Sequence, residues 1–192
     1  FLDFIKKNLK KNKNNVIEIG ANDLFLLEKF KKYSSKAIAI DPCITPNKQF
    51  KFIKCIKKFA ENVDLSEINF KPDIVLCSQT LEHIENPRKF FKEVDRLLKP
   101  GGWFCARTPH KFNLISLFAR LIKNNHHASV LKYIQPNRKE RDIFPTYYRL
   151  NKLKKLNQIF RNYNDQSFIF RSDPSYYFGK KSIYYLQKIL GI

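Results

Sequence analysis

Methionine is absent from the 192 residues, and the chain opens at Phe1. The simplest reading is that the natural start, with part of an N-terminal helix, lies outside this sequence. Cysteine pairs at metal-ligand spacing are also missing. Cys43, Cys55, Cys77 and Cys105 form no C-x-x-C, and no histidine stands at ligand spacing from them, which argues against a zinc site. Three of the four fall in or near expected strands, where a reduced cysteine acts as a small apolar residue and suits a reducing cytoplasm. No run approaches the roughly 18 apolar residues of a membrane span. The apolar stretch within residues 1–15 is too short for a secretion signal, so a soluble, cytoplasmic protein is expected. Neither an internal repeat nor a low-complexity linker divides the chain, and 192 residues fit one domain.

Acidic residues are scarce, 17 against 37 Lys and Arg, for a net charge of +20. Such a surface can favour nucleic acid, anionic lipid or phosphorylated substrates. The lysines are scattered, however (Lys6, Lys31, Lys57, Lys99, Lys154, Lys180), and lysine, asparagine and isoleucine are abundant together, as in proteins of AT-rich genomes. The charge alone therefore selects no partner. Hydrophobic residues at 43% and aromatics at 15% are ample for a packed interior.

Residues 1–12 read as the end of an amphipathic helix with Leu2, Ile5 and Leu9 on one side. Val16-Ile17-Glu18-Ile19-Gly20 reads as a strand ending at glycine. A helix follows with Leu26, Leu27, Phe30 and Tyr33 facing inward. Residues 37–40 form the next strand, stopped by Asp41-Pro42. This β-turn-α-β order is the unit of a parallel sheet. Residues 50–56 suit a third strand, 61–68 a short helix, and 73–77 a strand buried on both faces. Asn86-Pro87 is a helix start, cap plus first-turn proline. Phe90, Phe91, Val94, Leu97 and Leu98 then keep helical spacing until Pro100-Gly101-Gly102, and 103–107 form another strand. Further on, 112–122 is apolar and helical, 123–141 is a polar loop holding His126 and His127, and Leu153, Leu156, Ile159 and Phe160 mark a helix. Residues 167–171 suit a strand and 182–190 a last helix. The alternation predicts one doubly wound α/β domain.

Two features point to a nucleotide-type ligand. The turn Glu18-Ile19-Gly20-Ala21-Asn22-Asp23 lies between the first strand and its helix, where glycine lets backbone approach a ligand and the helix start offers amides. Asp41 stands 21 residues past Gly20 at the tip of the second strand, where a carboxylate can accept both hydroxyls of a ribose. The plainer alternative for Asp41 is a turn residue before Pro42.

A longer pattern follows. Asp73-Ile74-Val75 leads through Leu81-Glu82-His83-Ile84, Asn86-Pro87 and Glu93 to Arg96-Leu97-Leu98-Lys99-Pro100-Gly101-Gly102. This run resembles the class I S-adenosylmethionine-dependent methyltransferases, in the large subgroup with "D-x-V … L-E-H-I-x-N-P … E-x-x-R-L-L-K-P-G-G". The resemblance covers about residues 15–110. It implies a mainly parallel, seven-stranded, Rossmann-like sheet with helices on both faces, and S-adenosylmethionine as cofactor. It also implies that Glu18, Gly20, Ala21 and Asn22 hold the methionine part and Asp41 the ribose. Phe59 and Ala60 would flank the adenine, with Ser78 and Gln79 beside the reactive sulfonium. The family commonly has E/D-x-G-x-G-x-G, whereas here Asn22 and Leu24 replace the second and third glycines. Asparagine tolerates left-handed backbone. Leucine does not do so readily, and Leu24 is expected to weaken cofactor binding or displace the loop.

A base is needed only for a hydroxyl or acidic carbon acceptor. His83 and His110 are the candidates, each near the cofactor side of such a sheet. The alternatives are that His83 stitches its turn together by hydrogen bonding and that His110 is a loop residue. Residues 15–110 would form the cofactor-binding half and 111–150 an acceptor-side insertion or cap. Within that insertion, 112–122 reads as a core helix, a cap, or a surface for peripheral membrane contact. Residues 142–149, aromatic and basic, could line the acceptor pocket or stack nucleic-acid bases. The expected acceptor is a small or medium metabolite: a sugar or surface-glycan precursor, a lipid or a quinone precursor. The sugar is suggested by the Asn22-Asp23 pair, similar to the "E-I-x-x-N-D-G" loop of some sugar C-methyltransferases. The rivals are an RNA methyltransferase and a methyltransferase-like module without catalysis.

Overall fold

Short runs of apolar and β-branched residues build the strands β1 (Asn14–Ile19), β2 (Ser34–Ile40), β3 (Ile53–Ile56), β4 (Ile74–Ser78) and β5 (Trp103–Arg107). The structure, a computed structural model, describes residues 1–9, 13–44, 52–110 and 144–168, with positions 182 and 185. Among these residues the strands form one five-stranded sheet in the order β3-β2-β1-β4-β5, and every pairing is parallel. The chain runs outward from β1 to β3 and then returns to lay β4 against the other side of β1. That reversal leaves a crevice at the carboxyl ends of β1 and β4, the place where open α/β sheets take ligands.

Alternation along each strand sends its side chains to two cores. Ile17, Ile19, Ile38, Ile40, Val75 and Cys77 belong to one. Val16, Ala37, Ala39, Ile74, Leu76 and Cys105 belong to the other. Helices cover both faces, which is why β4 reads as a continuous apolar run. α1 (Leu2–Asn8) and α2 (Phe25–Phe30) lie on the second core, through Ile5, Leu27 and Phe30. α3 (Pro87–Leu97) covers the first with Phe90, Val94 and Leu97. Its start is as expected: the Asn86 side chain accepts the Lys89 N–H at 3.1 Å, with Pro87 in the first turn. α4 (Leu153–Ile159) packs beside α3, and Phe160 just beyond it stacks on Phe104 of β5, centroids 4.9 Å apart.

Much of the D-x-V and K-P-G-G pattern ties the sheet together at its other end. Asp73 accepts the Asn15 N–H at 2.8 Å through one oxygen and Lys99 Nζ at 2.9 Å through the other. Its carbonyl accepts the Trp103 N–H. One residue thus aligns the beginnings of β1, β4 and β5, through its carboxylate and its carbonyl.

Some expected elements differ. The short helix over 61–68 is two 3-10 turns, Ala60–Asn62 and Leu65–Glu67. Asp64 restarts the chain between them: its side chain accepts the Ser66 N–H while Glu67 accepts the Asp64 N–H, a capping box that begins a new turn. Ser167 and Phe168 form no ladder, and the rest of the strand expected at 167–171 lies outside the described residues. So do the apolar stretch 112–122, the loop with His126 and His127, and most of the helix at 182–190, of which Ser182 and Tyr185 are helical. No helix among the described residues is long and apolar enough to cross a membrane.

Candidate active site

The turn after β1 has positive φ at alternate positions: Gly20 at 77°, Asn22 at 34° and Leu24 at 64°. These are the three places where the family pattern carries glycine, so the backbone path is kept although two glycines are gone. Gly20 is confined further. A Cβ there would lie 2.1 Å from Thr80 Oγ1, so the turn and the end of β4 meet with no room for a side chain. Leu24 does not face the crevice. It is 1% exposed and packs in the second core with Leu27 and Phe30, so its burial holds the left-handed conformation in place. The expectation that Leu24 displaces the loop finds no support in this placement: the side chain anchors the turn from beneath.

Asp41, at the tip of β2, is buried and braces the same turn. Its Oδ2 accepts the Asn22 N–H at 3.1 Å and its Oδ1 the Cys43 N–H at 2.6 Å. Each oxygen keeps a further lone pair, because a carboxylate offers about four acceptor sites. Glu18, near the end of β1, is also buried. Burial, together with the negative charges of Asp23 and Asp41, pushes its carboxyl up to about 8, although the Leu27 N–H at the start of α2 partly offsets this. Its Oε2 has no hydrogen-bond partner, an uncommon state for a buried oxygen.

The end of β4 completes the edge. Ser78 is half-buried, and Gln79 is exposed with φ 55°, its N–H donating to the Arg107 carbonyl at 2.8 Å. Phe59 is half exposed and Ala60 buried, beyond β3. Glu82 is buried in a chain of polar contacts: Thr108 Oγ1 donates to Glu82 Oε2 at 2.8 Å, and Asn151 Nδ2 donates to Thr108 Oγ1 at 2.6 Å and to the Pro109 carbonyl at 2.9 Å. Cys77, fully enclosed beneath this edge, has its thiol pushed well above its ordinary value by burial and by Glu82.

Residues 144–151 lie over the 81–85 turn. The Glu82 carbonyl accepts the N–H groups of Tyr147 and Tyr148, and Arg149 donates to the Glu85 carbonyl. His83 Nδ1 is 2.8 Å from the Pro145 carbonyl, and its ring meets Phe144 edge-on. A carbonyl can only accept, so Nδ1 carries the proton and a neutral ring presents its lone pair at Nε2. The His83 side chain thus joins its turn to the 144–151 segment rather than bonding within the turn itself. His110 is exposed beyond β5.

The structure brings Glu18, Gly20, Ala21, Asn22, Asp41, Ser78 and Gln79 to the carboxyl edge of the three central strands. It sets Phe59 and Ala60 after β3, with His83 and His110 on the turns beyond β4 and β5. Sequence reasoning missed Thr80, Glu82, Thr108 and Asn151. Glu82 was within reach, being part of the L-E-H-I run. Asn151 carries no local signal, because its partners are 42 and 43 residues away. Among the described residues no cluster of His, Cys, Asp and Glu could hold a metal ion.

A family model described as "Methyltransferase domain" matches residues 1–173. A curated protein, the thiol S-methyltransferase TMT1B of Rattus norvegicus, is 32% identical over 74 residues. That match covers 38% of this chain and 27% of the relative, so the chain spans about a quarter of its length. Among solved structures, an S-adenosylmethionine-dependent methyltransferase of Thermotoga maritima superposes with a TM-score of 0.55 at 17% identity, over 84% of this chain and 67% of that one. The YcgJ protein of Bacillus subtilis does so at 0.53 and 18%, over 83% and 64%. These two likenesses establish the fold.

Proposed function

The chain belongs to the S-adenosylmethionine-dependent methyltransferase family, and from that premise we propose that it methylates a small or medium metabolite at the carboxyl edge of β1, β2 and β4. The observation that carries this reading is the Glu18 carboxyl, buried, with one oxygen lacking a partner, close to the charges of Asp23 and Asp41. In a chain of net charge +20, acidic groups are concentrated at this edge. Such a place suits a cationic ligand, and the residues present fit a cofactor bearing an ammonium, a sulfonium and a ribose.

Glu18 would hold the ammonium, the Gly20–Asn22 turn the backbone-facing side of the methionine part, and Asp41 the ribose hydroxyls through its remaining lone pairs. Phe59, half exposed, offers a face to the adenine. When bound, S-adenosylmethionine supplies an already activated methyl group. The chain's own contribution is then to orient an acceptor and exclude water. His83, with Nδ1–H fixed on the Pro145 carbonyl, would take a proton at Nε2 from a hydroxyl or thiol acceptor. His110 is the second candidate. The segment 144–151, with the preceding residues 111–143, would shape the acceptor pocket. The Asn22-Asp23 turn favours a sugar or surface-glycan precursor among acceptors. Lipids, quinone precursors and, by likeness to the rat relative, thiols complete the set to be tried. The reading of a module without catalysis had its best support in Leu24, and the burial of that side chain in the core speaks against a displaced loop.

Calorimetry with S-adenosylmethionine tests the assignment. Micromolar binding is expected, with Glu18→Gln and Asp41→Ala each weakening it at least about tenfold, or roughly 1.4 kcal/mol. No heat at millimolar cofactor, or binding indifferent to both substitutions, would remove this edge from consideration. Methyl transfer from labelled cofactor to the acceptor panel then identifies the substrate class.

A further inference from the structure

On the outer side of α3 and α4 lies a groove of about 420 Å³, separate from the carboxyl edge of β1, β2 and β4. Phe91 and Ile159 are among the residues lining it, and both are half-buried. Arg88 and Lys92 come from α3, Lys155 from α4 and Arg161 from just beyond it, and all four are exposed. No carboxylate lines the groove. Among the described residues, ion pairs tie down Lys6, Lys58, Arg96 and Lys99, and none of the four groove cations is so paired. Asp95, one turn along α3 from Lys92, accepts the Tyr163 hydroxyl at 3.0 Å. Lys155 Nζ reaches only a neutral partner, Gln158 Oε1, at 3.1 Å.

From this arrangement we propose that the α3–α4 groove is a docking site for single-stranded nucleic acid, its four cations meeting successive phosphates and its apolar residues the bases. Cations on both sides of a partly apolar channel are what a single strand requires, with phosphates and base faces recognised separately and without a sequence code. Residues four apart on a helix, such as Arg88 and Lys92, lie about 6 Å apart along its axis, a spacing that adjacent phosphates can follow. The overall charge of +20 adds a long-range attraction for a polymer of high charge density. A flat anionic membrane reaches into a groove less well than a flexible strand does. The proposal does not depend on the methyltransferase reading.

Fluorescence anisotropy of a labelled 12-residue oligouridylate, titrated with the full chain, provides the test. Binding is expected to weaken with salt along a log–log slope of about −3, four phosphates at about 0.7 each. The pair Arg88→Glu and Lys155→Glu should weaken it at least about tenfold. Lys29→Glu on α2 and Lys32→Glu in the 3-10 turn just after it, the same charge change at the opposite face, should cost less than about threefold. Circular dichroism melting verifies that each variant is folded, without any ligand. Equal losses from both pairs would reduce the effect to net charge and overturn the groove. Displacement of the oligonucleotide by an equal concentration of a 12-residue oligoglutamate would overturn it too, in favour of an acidic protein partner. Failure to bind at low salt ends the proposal outright.

Discussion

Replacing Glu18 by Gln should stabilise the unliganded protein at alkaline pH and do so less and less as the pH falls. The native carboxyl is pushed from its ordinary 4.5 up to about 8, chiefly by burial. Between those values the folded chain keeps a proton that the unfolded chain has released. Unfolding therefore releases a proton, and raising the pH favours the unfolded state. The contribution of this group is fully present below about pH 4.5 and is lost as the pH climbs through about 8. One proton is worth about 1.4 kcal/mol per pH unit, so a window about 3.5 units wide amounts to about 5 kcal/mol. Glutamine has the same shape, can keep the bond from the Leu27 N–H, and does not titrate. It places an amide where Oε2 lacked a partner, but that cost is constant with pH. Urea unfolding of both proteins, followed by circular dichroism, isolates the difference because every other titrating group cancels. The stability of the variant relative to the parent should rise by about 3 kcal/mol between pH 5 and 7.5. A difference that stays flat would show that Glu18 is solvated or already ionised, and the account of the buried oxygen would fail.

The same carboxyl should link cofactor affinity to pH. Calorimetric binding of S-adenosylmethionine should strengthen as pH rises through about 8 in the parent and stay level in Glu18→Gln; parallel profiles would remove the ammonium from Glu18. Gly20→Ala drives a methyl group against Thr80 at a φ of 77° and should weaken cofactor binding at least about tenfold. Adding Thr80→Ala removes the two nearest atoms and should recover part of that loss, and no recovery would mean that the contact is irrelevant. Leu24→Gly relieves a left-handed leucine, a gain of about 1–2 kcal/mol, but empties a buried site whose loss costs about 2–5 kcal/mol. Denaturant melts should show a less stable protein, and a more stable one would contradict the anchoring role. Asn86→Ala removes the cap of α3 and should cost about 1 kcal/mol in the same melts; an unchanged midpoint would show that Pro87 alone starts the helix.

Local chemistry wrote most of the fold into the chain. The β-turn-α-β start, the apolar run of β4 and the Asn86-Pro87 cap depend on neighbours within a few residues, so pattern and propensity reveal them. The family pattern sets Gly20, Asp41 and Ser78 at strand ends, and the order β2-β1-β4 makes those ends adjacent. Where local signals were balanced, tertiary contacts decided. The 61–68 stretch broke into two turns because the Asp64 cap outweighed helical spacing. Leu24 seemed a defect in a glycine loop because a sequence shows which residue is present but not which way it points. Only packing against Leu27 and Phe30 shows that it faces the core. Glu18 was legible as a candidate site residue, but its unpaired oxygen and its raised proton affinity arise from enclosure by α2 and the neighbouring strand ends. The Glu82–Thr108–Asn151 contacts and the α3–α4 groove join segments tens of residues apart. Sequence fixes which side chains are available for such contacts; the distance and burial that turn them into a site exist only once the chain has closed on itself.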